Sequence, residues 1–173
     1  RQEQADLLQD IDALITDEPR QCIGISTADC VPVLIHDKVH QAVAAIHAGW
    51  RGTVKRISQN ALSMMHEKYG TIASDCVAVI GPSISQQVFE VGNEVRIAFE
   101  EAGFPTNITD STTWPKPHID LWAANVYLLE EAGVKLSNIQ IANVCTYVHS
   151  DVFFSARKLG INSGRIYSAI FLN

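Results

Sequence analysis

The sequence has no cluster of lysines and arginines: 13 basic residues are scattered against 19 acidic ones, for a formal net charge of -6. Non-specific attraction to nucleic acid or to an anionic membrane surface rests on such clusters, so neither is expected as a partner. Long apolar runs are missing as well. The stretch ending at Ile46 and residues 77–80 fall far short of the ~20 residues needed to cross a bilayer, and no charged-then-apolar signal segment opens the chain. The chain therefore reads as cytoplasmic. Cys22, Cys30, Cys76 and Cys145 are too widely spaced to form a CxxC pair, which removes a thioredoxin-type motif and a structural zinc knuckle. In a reducing compartment they are free thiols, and one of them is available as a ligand or nucleophile. The six histidines include no His-x-His pair, so a conventional blue multicopper oxidase, with its trinuclear copper cluster, is excluded while a single copper is not.

What is present is the composition of a folded globular chain. Apolar residues make up 47% and charged residues 18% of 173, enough for one sizeable core and short for two. Residues 22–27 and 31–35 read as buried strands separated by the polar Ala28-Asp29-Cys30 step, and residues 41–46 as a third strand running into His47. Thr53 is placed to cap a helix over 54–69 that Gly70 ends. A strand over 76–80, a helix over 93–102, a loop over 106–117 and a helix over 121–132 capped by Asp120 follow, with strands at 139–144 and 166–172. The order predicts a single α+β domain with mixed sheets layered with helices.

Cys30 and His47 each stand at the end of an apolar strand, and a short turn allows those strands to lie side by side. A thiolate and a neutral imidazole suit zinc or copper, and a catalytic zinc takes three protein ligands and leaves a position open. On pattern alone the plainer alternative carries more weight: Cys30 as a small buried hydrophobe and His47 as a hydrogen-bonded strand-end histidine. Gly49, Trp50, Arg51 and Gly52 lie between a strand and a helix, where main-chain N–H groups favour an anion and Arg51 could add a forked donor. A solvated turn explains the same residues. Residues 153–157, Phe-Phe-Ser-Ala-Arg, pose the same choice between core aromatics and a platform for a planar base. His118 reads as an exposed residue of the loop before a helix.

Thr27-Ala28-Asp29-Cys30-Val31-Pro32-Val33, His47-Ala48-Gly49-Trp50-Arg51-Gly52, Gly81-Pro82-Ser83-Ile84 and Phe153-Phe154-Ser155-Ala156-Arg157 with Gly164-Arg165 together resemble the laccase-domain (YfiH-like) family, in family order and across residues 12–172. The resemblance implies an α/β/β/α-like layered fold and a surface metal site of one cysteine and two histidines, two of which Cys30 and His47 match. The remaining family histidine lies in a segment expected upstream of Arg1, so residues 1–173 correspond to a domain lacking its N-terminal part. The activity implied is phosphorolysis of adenosine, inosine, guanosine and methylthioadenosine with zinc, and adenosine deamination beside it. In this reading Cys30, His47 and Arg51 are catalytic, Arg51, Gly52, Phe154 and Arg157 bind substrate and phosphate, and the chain is a monomer or weak homodimer. Three rivals stand: a copper-dependent polyphenol oxidase at the same residues, a metal-free cysteine hydrolase with Cys30 as nucleophile and His47 as base, and a binding module without a working site.

Overall fold

The computed structural model describes residues 11–109, 113–160 and 162–173. Among the described residues seven strands form two sheets. The larger has the order β1 (Ala13–Thr16), β4 (Ala42–Ala48), β3 (Val31–Asp37), β5 (Cys76–Ile80) and β6 (Ile139–Ile141), antiparallel except for the β5–β6 pair. The smaller pairs β2 (Ile23–Thr27) with β7 (Ile166–Ile170) in antiparallel register. The α+β class with sheets layered with helices is as the sequence predicts.

The strand compositions dictate which sheet face meets what. Every residue of β4 except His47 is buried, as expected of a central strand covered on both faces, and four of its seven residues are alanine. One face packs on α2 (Ile57–Tyr69), α3 (Asn93–Glu101) and α5 (Leu121–Glu131), through Ala44, Ile46, Ile35, Leu62, Met65, Phe99 and Leu128. On the other face Val43 and Ala45 meet Ile23, Ile25 and Leu172 of the small-sheet layer. β2 alternates buried and exposed residues, the mark of a strand covered on one side. Its outward face is exposed at Gly24 and Ser26, beside Tyr167 and Ala169 of β7, so the outer helical layer implied by the resemblance is not supplied there by described residues.

Several boundaries differ from the sequence expectation for local reasons. The expected 54–69 helix is two helices, α1 (Trp50–Val54) and α2, because Arg56 adopts left-handed backbone at φ 61°. That conformation is held by bonds from the Arg56 guanidinium to Glu131, Gln59 and the carbonyl of Ala102. Thr53 is not a cap. It lies within α1, where its Oγ1 donates to the Gly49 carbonyl at 3.0 Å and accepts from Asn125 Nδ2 at 3.3 Å. The 106–117 loop contains a helical turn, α4 (Thr106–Thr109), and its residues 110–112 lie outside the described residues. β6 ends early because the chain turns through Asn143 at φ 53°. A further short helix, α6 (Ala156–Leu159), and strand β1 were not expected from the sequence. Asp120 does cap α5, accepting from Ala123 N at 2.9 Å, and Gly133 turns the chain out of that helix at φ 100°.

Candidate metal and substrate site

Register brings the two expected donors together. β3 and β4 pair with Pro32 opposite His47 and Val31 opposite Ala48. Side chains alternate along a strand, so Cys30 shares a face with Pro32 and lies diagonally across from His47. A Cβ built on Gly49 would stand 3.2 Å from Cys30 Sγ and 3.8 Å from His47 Cε1, so thiol and imidazole converge on one point beside the Gly49 backbone, where a side chain would crowd the sulfur. The ring is within hydrogen-bonding reach of the Cys30 sulfur.

Behind the ring stands Asp12, whose Oδ1 is 2.8 Å from His47 Nδ1. Its main-chain carbonyl also accepts from His47 N at 2.7 Å, so the residue just before β1 grips His47 twice. The hydrogen bond to Cys30 pushes the His47 imidazole up to about 9, against desolvation, and the Asp12 carboxylate adds to the rise. A carboxylate fixing one ring nitrogen while the rest of the imidazole faces a thiol is the arrangement that orients a metal-binding histidine. The donor chemistry of Cys30 and His47 therefore fits two positions of a zinc or copper site. Among the described residues no group of three or more His, Cys, Asp or Glu side chains is placed to hold a metal ion. A surface depression of about 370 Å³ adjoins His47, lined by Asp12, Leu14, Gly24, Ile25 and Ser26.

The remaining expected residues divide between two arms. Arg51 opens α1 and is exposed, its guanidinium carbon 4.2 Å from the Trp50 ring centroid. Gly52 lies within α1, where a Cβ would make ordinary contacts with Ile57 Cγ2 at 3.4 Å and the His47 carbonyl at 3.5 Å. Arg157 is on the second arm. Its main-chain N–H donates to Asp29 Oδ2 at 2.7 Å and its guanidinium to the Glu90 carbonyl at 2.9 Å, over the Phe89 ring. Phe154 is about half exposed and rests on Gly164, whose imagined Cβ would fall 2.7 Å from two ring carbons. Neither arm lines the depression beside His47.

Four of the other cysteines and histidines have structural surroundings that explain them. Cys76 is buried and pushed up to about 12 by desolvation with help from Asp37 and Asp75, which makes it inert. His40 pairs with Asp37 at 2.8 Å and His66 Nδ1 lies 2.9 Å from the Thr71 carbonyl. His118 is not the exposed loop residue the sequence suggests. It is buried, 4.5 Å from Trp114 ring to ring, with Nδ1 3.0 Å from the Lys116 carbonyl, because an isolated bridge to Glu90 pulls it against the core. Sequence reasoning missed Asp12, whose only local signal is a carboxylate ahead of four apolar-leaning residues.

Comparison with known proteins finds relatives along nearly the whole chain. The family model described as "Multi-copper polyphenol oxidoreductase laccase" matches residues 1–173. A purine nucleoside phosphorylase of Bacteroides thetaiotaomicron is 52% identical over 174 residues, covering 99% of this chain and 64% of the relative. Adenosine deaminase RL5, from an unknown prokaryotic organism, is 44% identical over 171 residues, covering 98% and 65%. The crystal structure of Bacillus licheniformis YfiH superposes with a TM-score of 0.89 at 30% identity, over 94% of this chain and 61% of that one. This chain thus spans less than two thirds of each of these relatives. No described helix is long and apolar enough to cross a membrane. From its match along all 173 residues, the chain belongs to the multi-copper polyphenol oxidoreductase laccase family.

Proposed function

We propose that this chain carries most of a metal-dependent purine nucleoside phosphorylase acting on adenosine, inosine, guanosine and methylthioadenosine, with adenosine deamination as a second reaction. The observation that carries the reading is the Cys30–His47 pair with Asp12 fixing the imidazole from behind. The relatives named purine nucleoside phosphorylase and adenosine deaminase supply the substrate class. Cys30 and His47 would hold zinc, with copper as the alternative, and a further histidine from beyond these residues would complete the set. When bound, such an ion supplies a Lewis acid and an acidified water. The chain's own residues do the rest. Arg51, Gly52 and Arg157 bind phosphate, and Phe154 offers a face to the base. Purine nucleosides and phosphate are the partners, nucleic acid and membranes are not, and the protein acts in the cytoplasm as a monomer or weak homodimer.

Phosphate-dependent release of hypoxanthine from inosine by the intact protein tests this reading. Oxygen-dependent oxidation of phenols with no phosphate-dependent cleavage would replace it with the copper oxidase reading that the family description suggests.

One geometric feature favours a second reading. Cys30, His47 and Asp12 stand in the order nucleophile, base and orienting carboxylate, which is the arrangement of a metal-free cysteine hydrolase. Chelation separates the two. Activity lost on metal removal and regained with zinc supports the phosphorylase, whereas activity indifferent to chelator and abolished by brief thiol alkylation supports the hydrolase.

A further inference from the structure

Asp29 is buried and adopts left-handed backbone at φ 84°, where a residue other than glycine is uncommon. Both carboxylate oxygens are bonded: Oδ1 accepts from Thr146 Oγ1 at 2.7 Å and Oδ2 from Arg157 N at 2.7 Å. Its main-chain carbonyl accepts from Ile84 N at 3.0 Å. Thr146, itself fully buried, is tied in turn to the Ser83 carbonyl through its main-chain N–H at 3.1 Å. Through its side chain and its main-chain carbonyl together, Asp29 therefore fastens the Cys30 loop to three segments far away in sequence, and two of these, the loop after β5 and the start of α6, carry blocks that the sequence singled out.

We infer that Asp29 is a positioning residue: through Thr146 and the main chain of Arg157 it sets the Cys30 thiol and the Arg157 arm in one fixed relation. The inference rests on the reading of Cys30 as a metal donor and of Arg157 as a phosphate contact. A buried carboxylate is costly to leave unsatisfied, so two charge-assisted hydrogen bonds and a disfavoured backbone at this point mark a place where the fold accepts local cost to hold geometry. A small apolar residue would meet the needs of packing alone. What it would not do is join the chain before Cys30 to the chain at Arg157.

The chemistry of the two donors makes the test specific. Thr146 Oγ1 can accept as well as donate, while the Arg157 N–H can only donate. Asparagine satisfies both, its Nδ2 donating to Thr146 and its Oδ1 accepting from Arg157, and it tolerates left-handed backbone. Alanine satisfies neither. In the intact protein, Asp29→Ala is expected to weaken zinc binding about 10- to 100-fold, the range for losing a group that orients a ligand, and to raise the KM for phosphate. Asp29→Asn should restore both to within a few-fold of wild type. Thr146→Val should weaken zinc binding while leaving the phosphate KM near wild type, because the Arg157 anchor remains.

Zinc affinity is read by chelator competition, independently of turnover. Asp29→Ala with wild-type zinc affinity and phosphate KM overturns the inference, as does an Asp29→Asn variant as deficient as Asp29→Ala. Should Asp29→Ala fail to fold, Thr146→Val with unchanged zinc affinity overturns it instead. Cys30→Ser separates the two levels. Undiminished zinc binding and phosphorolysis in Cys30→Ser removes the functional reading itself, whereas their loss in Cys30→Ser beside normal behaviour in Asp29→Ala removes only the role given to Asp29.

Discussion

His47 is held from behind by Asp12 and faced by Cys30, so in the proposed metal site its two neighbours would separate orientation from ligation. Asp12→Asn keeps the side chain's shape and removes its charge. Zinc affinity is expected to fall about 10- to 100-fold, the usual consequence of losing a carboxylate that orients a ligand imidazole, and chelator competition reads the value. Affinity equal to wild type would show that the contact is incidental. At Gly164 the relevant constraint is space: an alanine Cβ would stand 2.7 Å from the Phe154 ring and push it aside. If Phe154 stacks on the base, Gly164→Ala should raise KM for inosine about fivefold, equivalent to ~1 kcal/mol of stacking, with the phosphate KM unchanged. A change in phosphate KM alone would place Phe154 outside the base site. Cys30 and His47 were legible because each ends an apolar run inside a distinctive block. Asp12 and the bonds of Asp29 were not, since their partners lie far along the chain and leave no local trace.

The turn joining β3 to β4 is built on a fully buried carboxylate. Asp37 accepts from Val39 N at 2.9 Å and His40 N at 3.1 Å, and lies 2.8 Å from the His40 ring. Burial alone would raise its pKa, but the bonds from His40 and Val39 outweigh it and hold the carboxyl below the ordinary carboxylate range. The stabilisation is therefore complete above the unfolded value of ~3.9 and is lost as pH falls through the lower folded value. Asp37→Asn is expected to cost about 1–3 kcal/mol at neutral pH, because the amide cannot accept all three bonds. That difference should shrink as denaturant melts are taken to more acid pH, and a constant difference would assign the cost to packing. Strands and long helices were readable from periodicity, as at β5 and α5. The break at Arg56 was not, because a left-handed arginine between two helical stretches is fixed by Glu131 and Ala102, which sequence spacing cannot place beside it.

The main core lies between the helices and the large sheet and is assembled from residues such as Ile35, Ile46, Met65, Phe99, Leu128 and Leu129, none of them a candidate donor. Metal removal is therefore expected to leave a cooperatively folded molecule. Near-ultraviolet circular dichroism and thermal melting with and without chelator check this, and loss of the cooperative transition would make the site structural rather than catalytic. The layered class was legible from the order of elements. The pairing of β2 with β7 was not, since the two strands stand at opposite ends of the described chain and only the closed fold brings Thr27 opposite Ile166.

The two donors meet within a local hairpin, whereas the Asp29 bonds to Thr146 and Arg157 span sequence separations of 117 and 128 residues. Local contacts form early in folding and distant ones late, after most loop entropy has been spent. A chain emerging from the ribosome would thus present thiol and imidazole side by side before the last third, which supplies the partners of Asp29, has been made. Were the proposed site to take up its ion during synthesis, it would do so with the hairpin pair in place and the Asp29 bonds still to form, and the ion first met would be set by what the surrounding cell leaves free.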